Sequence, residues 1–144
     1  MQEEKHMAAL EEVRTEIDQA LNDPRGLLSR QRLLTAALSL GMQNLVELWL
    51  HKSKAIKPGA SVKHEWFSAE PKNLKTRLIG ALTKDLDTLK NSERILSLAR
   101  EIERNRNDMV YGSPLPDDKA LKEKIDYLIE LKKSIEEAVD VVLW

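Results

Sequence analysis

The sequence predicts an all-α protein, an antiparallel up-down bundle of four to five helices that forms one domain over residues 1–144. Three observations favour this class. Apolar residues recur at spacings of three and four along most of the chain, which is the period of a helix with a buried face. No segment alternates apolar and polar residues as a strand does. The composition, 42% hydrophobic and 33% charged, is typical of soluble helical proteins.

The first predicted helix covers about residues 3–22 and ends at the turn-forming run Asp-Pro-Arg-Gly at 23–26. The second covers about residues 27–55 and is apolar on several faces, which indicates a helix surrounded by other helices. Gly41 lies in its middle and costs about 1 kcal/mol relative to Ala. We therefore expect a close approach of a neighbouring helix at Gly41, or a slight bend.

A loop is predicted over residues 56–70, where Trp66 and Phe67 are expected to cover the core or an interface rather than to stack on bases. Pro71 begins a third helix, because its missing N–H has no partner in a first helical turn. The apolar stripe of this helix consists of Leu74, Leu78, Leu82, Leu86 and Leu89. Residues 91–92, Asn-Ser, supply capping oxygens for a fourth helix or mark a break in one long helix.

An interhelical turn is predicted over residues 105–116, which contain one Gly and two Pro. Asp117 or Asp118 is then expected to cap the last helix. The apolar stripe of that helix consists of Leu121, Ile125, Leu128, Ile135, Val139 and Val142. We expect the apolar tail at 141–144 to make a final core contact or an intermolecular contact.

Several classes of protein are disfavoured by composition. There is no cysteine, so disulfides, thiolate metal sites and cysteine nucleophiles are excluded. The chain begins with the polar run Met-Gln-Glu-Glu-Lys-His, unlike a secretory signal. No uninterrupted apolar run approaches the roughly 20 residues of a membrane-spanning helix. We therefore expect a cytoplasmic protein with no membrane partner.

Charge is unevenly distributed although the net charge is only −1. Residues 1–23 carry two basic and seven acidic side chains, whereas residues 51–90 carry nine basic and four acidic ones. The basic segment is either a set of solvated helix faces or a side that faces phosphate groups, since nucleic-acid affinity depends mainly on neutralising phosphates.

The usual catalytic patterns do not occur in the sequence. We expect no metal site at His6, His51 or His64, and no cofactor. The five glycines are scattered, so no phosphate-cradling loop is predicted, and nothing indicates a Ser-His-Asp arrangement.

One polar cluster stands out at residues 104–112, Arg-Asn-Arg-Asn-Asp-Met-Val-Tyr-Gly. Arg104 and Arg106 are cations near a helix C-terminus, where the helix dipole favours them. Together with Asn107 they form a candidate phosphate-binding group, because guanidinium groups make forked hydrogen bonds with phosphate. The alternative is that the cluster only ties down the turn.

These residues resemble the signature of the HEPN superfamily, small all-α domains named for their occurrence in higher eukaryotes and prokaryotes. The signature is an Arg, usually followed by a polar residue, with a His about four to six residues further on, often as Arg-Asn-x-x-Val-His. Residues 106–111, Arg-Asn-Asp-Met-Val-Tyr, match the Arg, the Asn and the apolar pair, and Tyr111 replaces the His. The helix order and the position of the motif, about three quarters along the chain, also agree.

The resemblance implies a homodimer whose two motifs face each other across a cleft. Many members are metal-independent ribonucleases, some are toxins paired with a minimal nucleotidyltransferase antitoxin, and others are inactive RNA- or nucleotide-binding modules. The resemblance also implies roles for three residues. Arg106 would stabilise the scissile phosphate, Asn107 would orient it, and Tyr111 would occupy the position of the general base.

The replacement of His by Tyr111 bears on activity. A tyrosine hydroxyl stays protonated at neutral pH, where a histidine both takes and gives a proton, but it remains a hydrogen-bond donor to phosphate. The further Tyr of many toxin members, two residues after the His, is Ser113 here. We therefore expect a HEPN-like protein that binds RNA or a nucleotide with weak or absent ribonuclease activity. The alternatives are an active ribonuclease that uses Tyr111 and a non-catalytic helical interaction or scaffold protein.

Overall fold

The computed structural model describes residues 3–143 and is a bundle of helices, which confirms the predicted all-α class. The helices are α1 (Glu3–Leu21), α2 (Gln31–Lys52), α3 (Pro71–Ala81), α4 (Ser92–Glu103), α5 (Arg106–Tyr111) and α6 (Lys119–Val139). Short 3-10 turns lie at Leu27–Arg30, His64–Ser68 and Leu86–Thr88. Within residues 3–143 there is no β-strand, and a single isolated bridge joins Ile56 to Leu82.

α2 is the central helix of the bundle and contacts α1, α4, α5 and α6. Most of its apolar side chains are buried, as its multi-faced pattern predicts, and Trp49 is completely enclosed. α1 runs antiparallel to α2. Its first turns lie beside the last turns of α2, where His6 contacts Asn44, and its later turns lie beside the start of α2, where Glu16 pairs with Arg30.

Gly41 allows α1 and α6 to pack closely against α2. A Cβ atom at this position would lie 2.9 Å from Cγ1 of Val13 and 3.3 Å from Cδ2 of Leu128. Both separations are shorter than ordinary van der Waals contact. The absence of a side chain at Gly41 therefore permits this packing. The close approach predicted at Gly41 is confirmed, and it involves two helices at once.

The third helix ends earlier than its leucine stripe predicts. α3 stops at Ala81, and Leu82 is extended and bridges to Ile56. The amide of Thr83 donates to the carbonyl of Ala55 at 2.7 Å, so the backbone here pairs with the preceding loop instead of continuing a helix. The later leucines of the stripe therefore lie outside any α-helix, and Leu86 packs against the core from a 3-10 turn. A separate fourth helix begins at Ser92, in agreement with one of the two predicted alternatives. The side chain of Asn91 does not cap this helix but donates to the carbonyl of Ser134.

The turn predicted at residues 105–116 contains α5, so that prediction is wrong over the six residues of this short helix. A helix of this length does not persist alone in water. The start of α2 holds it in place, because the side-chain amide of Gln31 donates to the carbonyl of Met109 at 3.0 Å and accepts from the amide of Leu115 at 2.8 Å. Such long-range hydrogen bonds leave no local pattern in the sequence.

The last helix is capped by the first of the two candidate aspartates. Oδ1 of Asp117 accepts a hydrogen bond from the amide of Lys119 at 3.1 Å. Asp118 occupies the N-cap position itself, but its side chain makes no capping hydrogen bond.

The apolar tail contributes one residue to the core. Leu143 is buried, and its amide donates to Oε2 of Glu136 at 2.6 Å. Val142 is exposed, and Trp144, which shared the same prediction, lies outside the described residues.

One helical segment, Leu27–Lys52, has the length and apolar composition of a membrane-crossing helix, with a mean hydropathy of 1.3 in its apolar window. In the bundle, 72% of that window is buried by the rest of the protein. The core helix of a globular protein meets the same criteria, so the segment is weak evidence for a membrane.

The packing at Gly41 leads to a stability prediction. In Gly41→Ala the added methyl group must displace Val13 and Leu128, and overpacking of this kind costs about 1–3 kcal/mol. Better helix propensity offsets about 1 kcal/mol of that cost. We expect the free energy of unfolding to fall by about 1 kcal/mol in urea denaturation followed by circular dichroism.

Gly80→Ala is the matched control, because Gly80 is also helical and a Cβ there meets no atom within 4 Å. It should raise the free energy of unfolding by up to about 1 kcal/mol. Equal stabilisation by both substitutions would mean that the helices around Gly41 have room to adjust.

Candidate functional site

A buried carboxylate, that of Glu103, organises the polar cluster at the end of α4. Only 3% of Glu103 is exposed. Its Oε1 lies 2.7 Å from Nδ1 of His64, and its Oε2 accepts a hydrogen bond from the hydroxyl of Ser39 at 2.8 Å. Because both oxygens are engaged, the carboxylate fixes the orientation of the imidazole ring.

The position of Glu103 follows from the helical period of α4. Ala99, Ile102 and Glu103 lie three and four residues apart, so they share the face that packs into the core. His64 is the first residue of the 3-10 turn, and the buried ring of Phe67 anchors that turn against the bundle. The prediction that the loop aromatics cover the core is confirmed for Phe67.

Arg106 lies beside the same carboxylate, near the oxygen Oε1 that also contacts His64. It is the first residue of α5, and the backbone reaches it through Asn105, which adopts the left-handed conformation with φ 59°. Nε of Arg106 is 3.9 Å from Oε1 of Glu103 and is buried without a hydrogen-bond partner. Nη1 of Arg106 donates to Oδ1 of Asn107 at 3.1 Å. The side chain is 17% exposed, so the guanidinium reaches the surface at its outer edge.

Lys124 completes the electrostatic environment from α6. Its ammonium donates to the carbonyls of Ile102, at 2.7 Å, and Arg104, which end α4. Burial lowers the pKa of Lys124 to about 8; the negative charge of Glu103 opposes this shift, and the positive charge of Arg106 adds to it. The three charged groups therefore interact as one cluster.

The predicted site residues are only partly brought together. Arg106 and Asn107 are in contact, whereas Arg104 is exposed and pairs with Glu101 at 2.8 Å. Tyr111 is 77% exposed. It follows Arg106 by five residues on α5, which turns it by about 140° around the helix axis, away from the arginine. The residue that shares a carboxylate with Arg106 is His64.

His64, Glu103 and Ser39 are site residues that the sequence does not identify. They come from a loop turn, from α4 and from α2, and only the fold brings them together. One signal does exist. Glu103 continues the apolar face of α4 directly after Ile102, and a charged residue at a core position requires a partner.

The surface around the motif is open rather than deeply concave. A cleft of about 390 Å³ is lined by Asn105, Asp108 and Met109 among others, and a smaller one of about 150 Å³ by Arg104 and Lys124 among others. Neither Arg106 nor His64 lines these two clefts. A surface of this shape suits an extended ligand, or a site that a second chain completes, better than it suits an enclosed small molecule.

Comparisons of this chain with protein-family models, with curated proteins and with solved structures find no match. The structure defines an all-α bundle in which a partly exposed arginine and a partly exposed histidine lie beside one buried carboxylate.

This arrangement has two chemical capabilities. An arginine at a surface binds phosphate oxygens through several N–H groups at once. A histidine whose Nδ1 is held by a carboxylate can accept a proton from a bound hydroxyl at Nε2, which in His64 lies 3.9 Å from Oε1 of the exposed Glu65, beyond hydrogen-bond distance. The imidazole of His64 is partly exposed, so a ligand can reach it.

The Glu103 network leads to a prediction on stability. Glu103→Ala removes the acceptor for His64 and Ser39 and leaves the nearby Arg106 without a counter-charge. Breaking a buried charge network is strongly destabilising, and we expect a loss of about 2–4 kcal/mol in the free energy of unfolding, measured by urea denaturation.

Glu101→Ala is the control on the same helix. Glu101 is more exposed, its ion pair is with the exposed Arg104, and its charge acts on Lys124 less than that of Glu103 does, so its loss should cost less than about 1 kcal/mol. Similar small losses in both variants would show that Glu103 does not organise the cluster.

Proposed function

We propose that this protein is a HEPN-like module that binds the phosphate groups of RNA or of a nucleotide at Arg106. We further propose a weak, metal-independent ribonuclease activity in which His64, rather than Tyr111, is the general base. The observation that supports both parts is the position of Glu103, whose one buried carboxylate contacts His64 and lies beside Arg106.

The proposed cleavage uses each of these groups once. Nε2 of His64 accepts the proton of a ribose 2′-hydroxyl, and the freed oxygen attacks the adjacent phosphorus atom. The bond from phosphorus to the 5′-oxygen breaks, that oxygen takes a proton from water, and a 2′,3′-cyclic phosphate remains. Arg106 stabilises the negative charge that grows on the phosphate oxygens, and Asn107 holds the guanidinium in place through their hydrogen bond.

Homodimerisation is part of the proposal. Leu33 and Leu40 are 68% and 42% exposed, and they lie two turns apart on one side of α2. The same helix supplies Ser39, which contacts Glu103 of the candidate site. A second copy of the chain is the proposed occupant of this apolar face, and a nucleotidyltransferase antitoxin is a further proposed partner.

The second candidate function is that of a helical interaction or scaffold protein. The same exposed leucines of α2 favour it, because apolar side chains grouped on a surface commonly mark a binding face. In that case the Glu103 network would serve only to fasten the 56–70 loop to the bundle. RNA binding that depends on Arg106 distinguishes the two candidates.

Binding is tested with Arg106→Ala in a titration of a mixed single-stranded RNA pool at several salt concentrations. We expect the affinity to fall about tenfold or more, since a hydrogen-bonded charge contact with phosphate is lost. The slope of log K against log salt should also decrease by about one.

Arg94→Ala is the matched control for the loss of one positive charge. Arg94 lies on α4, is exposed and pairs with Glu130 at 3.0 Å, away from the Glu103 cluster. It should retain the wild-type affinity. Equal losses in both variants would indicate nonspecific electrostatics, and no loss in either would favour the scaffold function.

The base is tested by RNA cleavage in the presence of a chelator, with His64→Gln and Tyr111→Phe compared with the wild type. Glutamine can still donate a hydrogen bond to Glu103 but cannot accept the proton, so cleavage should fall by about a hundredfold or more. Tyr111→Phe should cleave normally, because its ring points away from Arg106.

If RNA cleavage is lost in Tyr111→Phe and retained in His64→Gln, the general base is Tyr111. If the wild type binds RNA through Arg106 but releases no cyclic phosphate, the protein is a binding module without the proposed activity.

A further inference from the structure

A second cluster of titratable side chains lies between the start of α1 and the end of α2. His6, Glu47 and His51 each contribute one ligand atom, and these atoms lie within 4.8 Å of one another. The two imidazole rings have centroids 5.5 Å apart. His6 is completely buried, Glu47 is buried and His51 is half-buried. The function proposed above uses none of these residues.

Both histidines of this cluster have a buried nitrogen without a partner. Nε2 of His6 and Nε2 of His51 are enclosed and make no hydrogen bond. Buried polar atoms are nearly always paired, because desolvation without a partner is unfavourable. Two such nitrogens in one small cluster require a common explanation.

The hydrogen bonds around His6 fix which nitrogen carries its proton. Nδ2 of Asn44 donates to the carbonyl of Leu40 at 2.9 Å, so Oδ1 of Asn44 is the atom that faces the ring. This oxygen lies 2.9 Å from Nδ1 of His6 and can only accept, so Nδ1 carries the hydrogen. In the neutral ring Nε2 then presents a lone pair to the cluster. Metal-binding histidines are oriented in the same way by a second contact.

Glu47 offers one oxygen to the same space. Its Oε1 accepts a hydrogen bond from the amide of Val62 at 3.2 Å, which anchors the carboxylate to the following loop. Its Oε2 is 3.9 Å from Nε2 of His6, beyond hydrogen-bond distance. Glu47 and His51 are four residues apart on α2 and therefore lie on one face of the helix.

We infer that His6, Glu47 and His51 form a binding site for a divalent transition-metal ion, with Zn²⁺ as the best fit. Two imidazole nitrogens and one carboxylate oxygen are a common ligand set for Zn²⁺, with water in the fourth position. Bonds of about 2.0–2.1 Å in a tetrahedron place the ligand atoms about 3.4 Å apart. The cluster must therefore contract by roughly 1 Å, and His51 is the least buried of its three residues.

Burial lowers the pKa of His51, and the neighbouring His6 adds to this shift, whereas Glu47 and Glu3 oppose it. Because the ligands come from two helices, a bound ion would fasten the first turns of α1 to the last turns of α2.

The experiment uses the full chain without a histidine tag. It is dialysed against a chelator, then titrated with ZnCl₂ by calorimetry and with CoCl₂ by visible absorption. We expect one ion per chain and the intense visible bands of four-coordinate Co²⁺. A hundredfold excess of Zn²⁺ over its Kd should raise the Tm by about 5–10 °C, because the ion binds only the folded chain.

Variants separate this site from other histidine sites. His51→Ala and Glu47→Gln should each weaken Zn²⁺ binding at least about tenfold, whereas His64→Ala should bind one ion as the wild type does. Histidine ¹⁵N NMR of the wild type should show Zn²⁺-induced shifts of Nε2 for His6 and His51 and none for His64, and it does not depend on any variant folding.

The inference is overturned if the wild type binds less than one tenth of an equivalent, or if His51→Ala and Glu47→Gln bind as tightly as the wild type. It is also overturned if Zn²⁺ shifts only the His64 resonances. RNA binding by Arg106 is measured separately with a chelator present, so failure of one proposal leaves the other standing.

Discussion

The burial of α2 on several faces is the constraint on which the rest of the structure depends. A helix enclosed by four others also buries several of its polar side chains, and unpaired polar groups are unfavourable in a core. Gln31, Ser39, Asn44 and Glu47 are all buried on α2. Each makes a hydrogen bond to a different part of the chain. Gln31 contacts α5, and Ser39 contacts the end of α4. Asn44 contacts the start of α1, and Glu47 contacts the 56–70 loop. The hydrophobic effect places α2 in the centre of the bundle. The polar side chains of α2 then help to determine which elements pack against each of its faces.

Both proposed sites arise from this arrangement. Ser39 contacts Glu103 in the cluster around Arg106, and Asn44 orients the ring of His6 in the metal-ligand cluster. In each case an uncharged α2 side chain fixes a titratable group of another helix. The two proposed sites are therefore coupled to the packing of the bundle, because side chains buried on α2 also orient the side chains of these sites.

The sequence predicts the fold class well and the sites only in part. The three- and four-residue spacing of leucines places α1, α2 and α6 close to their observed bounds, because their burial follows the helical period. The stripe fails at Leu82, where the backbone pairs with the preceding loop although the leucine is buried as predicted. The candidate residues Arg106 and Asn107 belong to a short motif in the sequence, whereas His64 and Glu103 are 39 positions apart and meet only in the fold. Contacts at that distance are a property of the packed bundle and leave no local periodicity.

The tethering of α5 by Gln31 has a consequence for the cooperativity of the molecule. A six-residue helix is not stable by itself. Its order depends on the first turn of α2, to which the hydrogen bonds of the Gln31 side chain join it. The short helix that carries Arg106 is accordingly held by the central helix. The conformational entropy of this segment is therefore lost when the chain folds. A ligand that binds at Arg106 would not have to order the segment at its own cost in binding free energy.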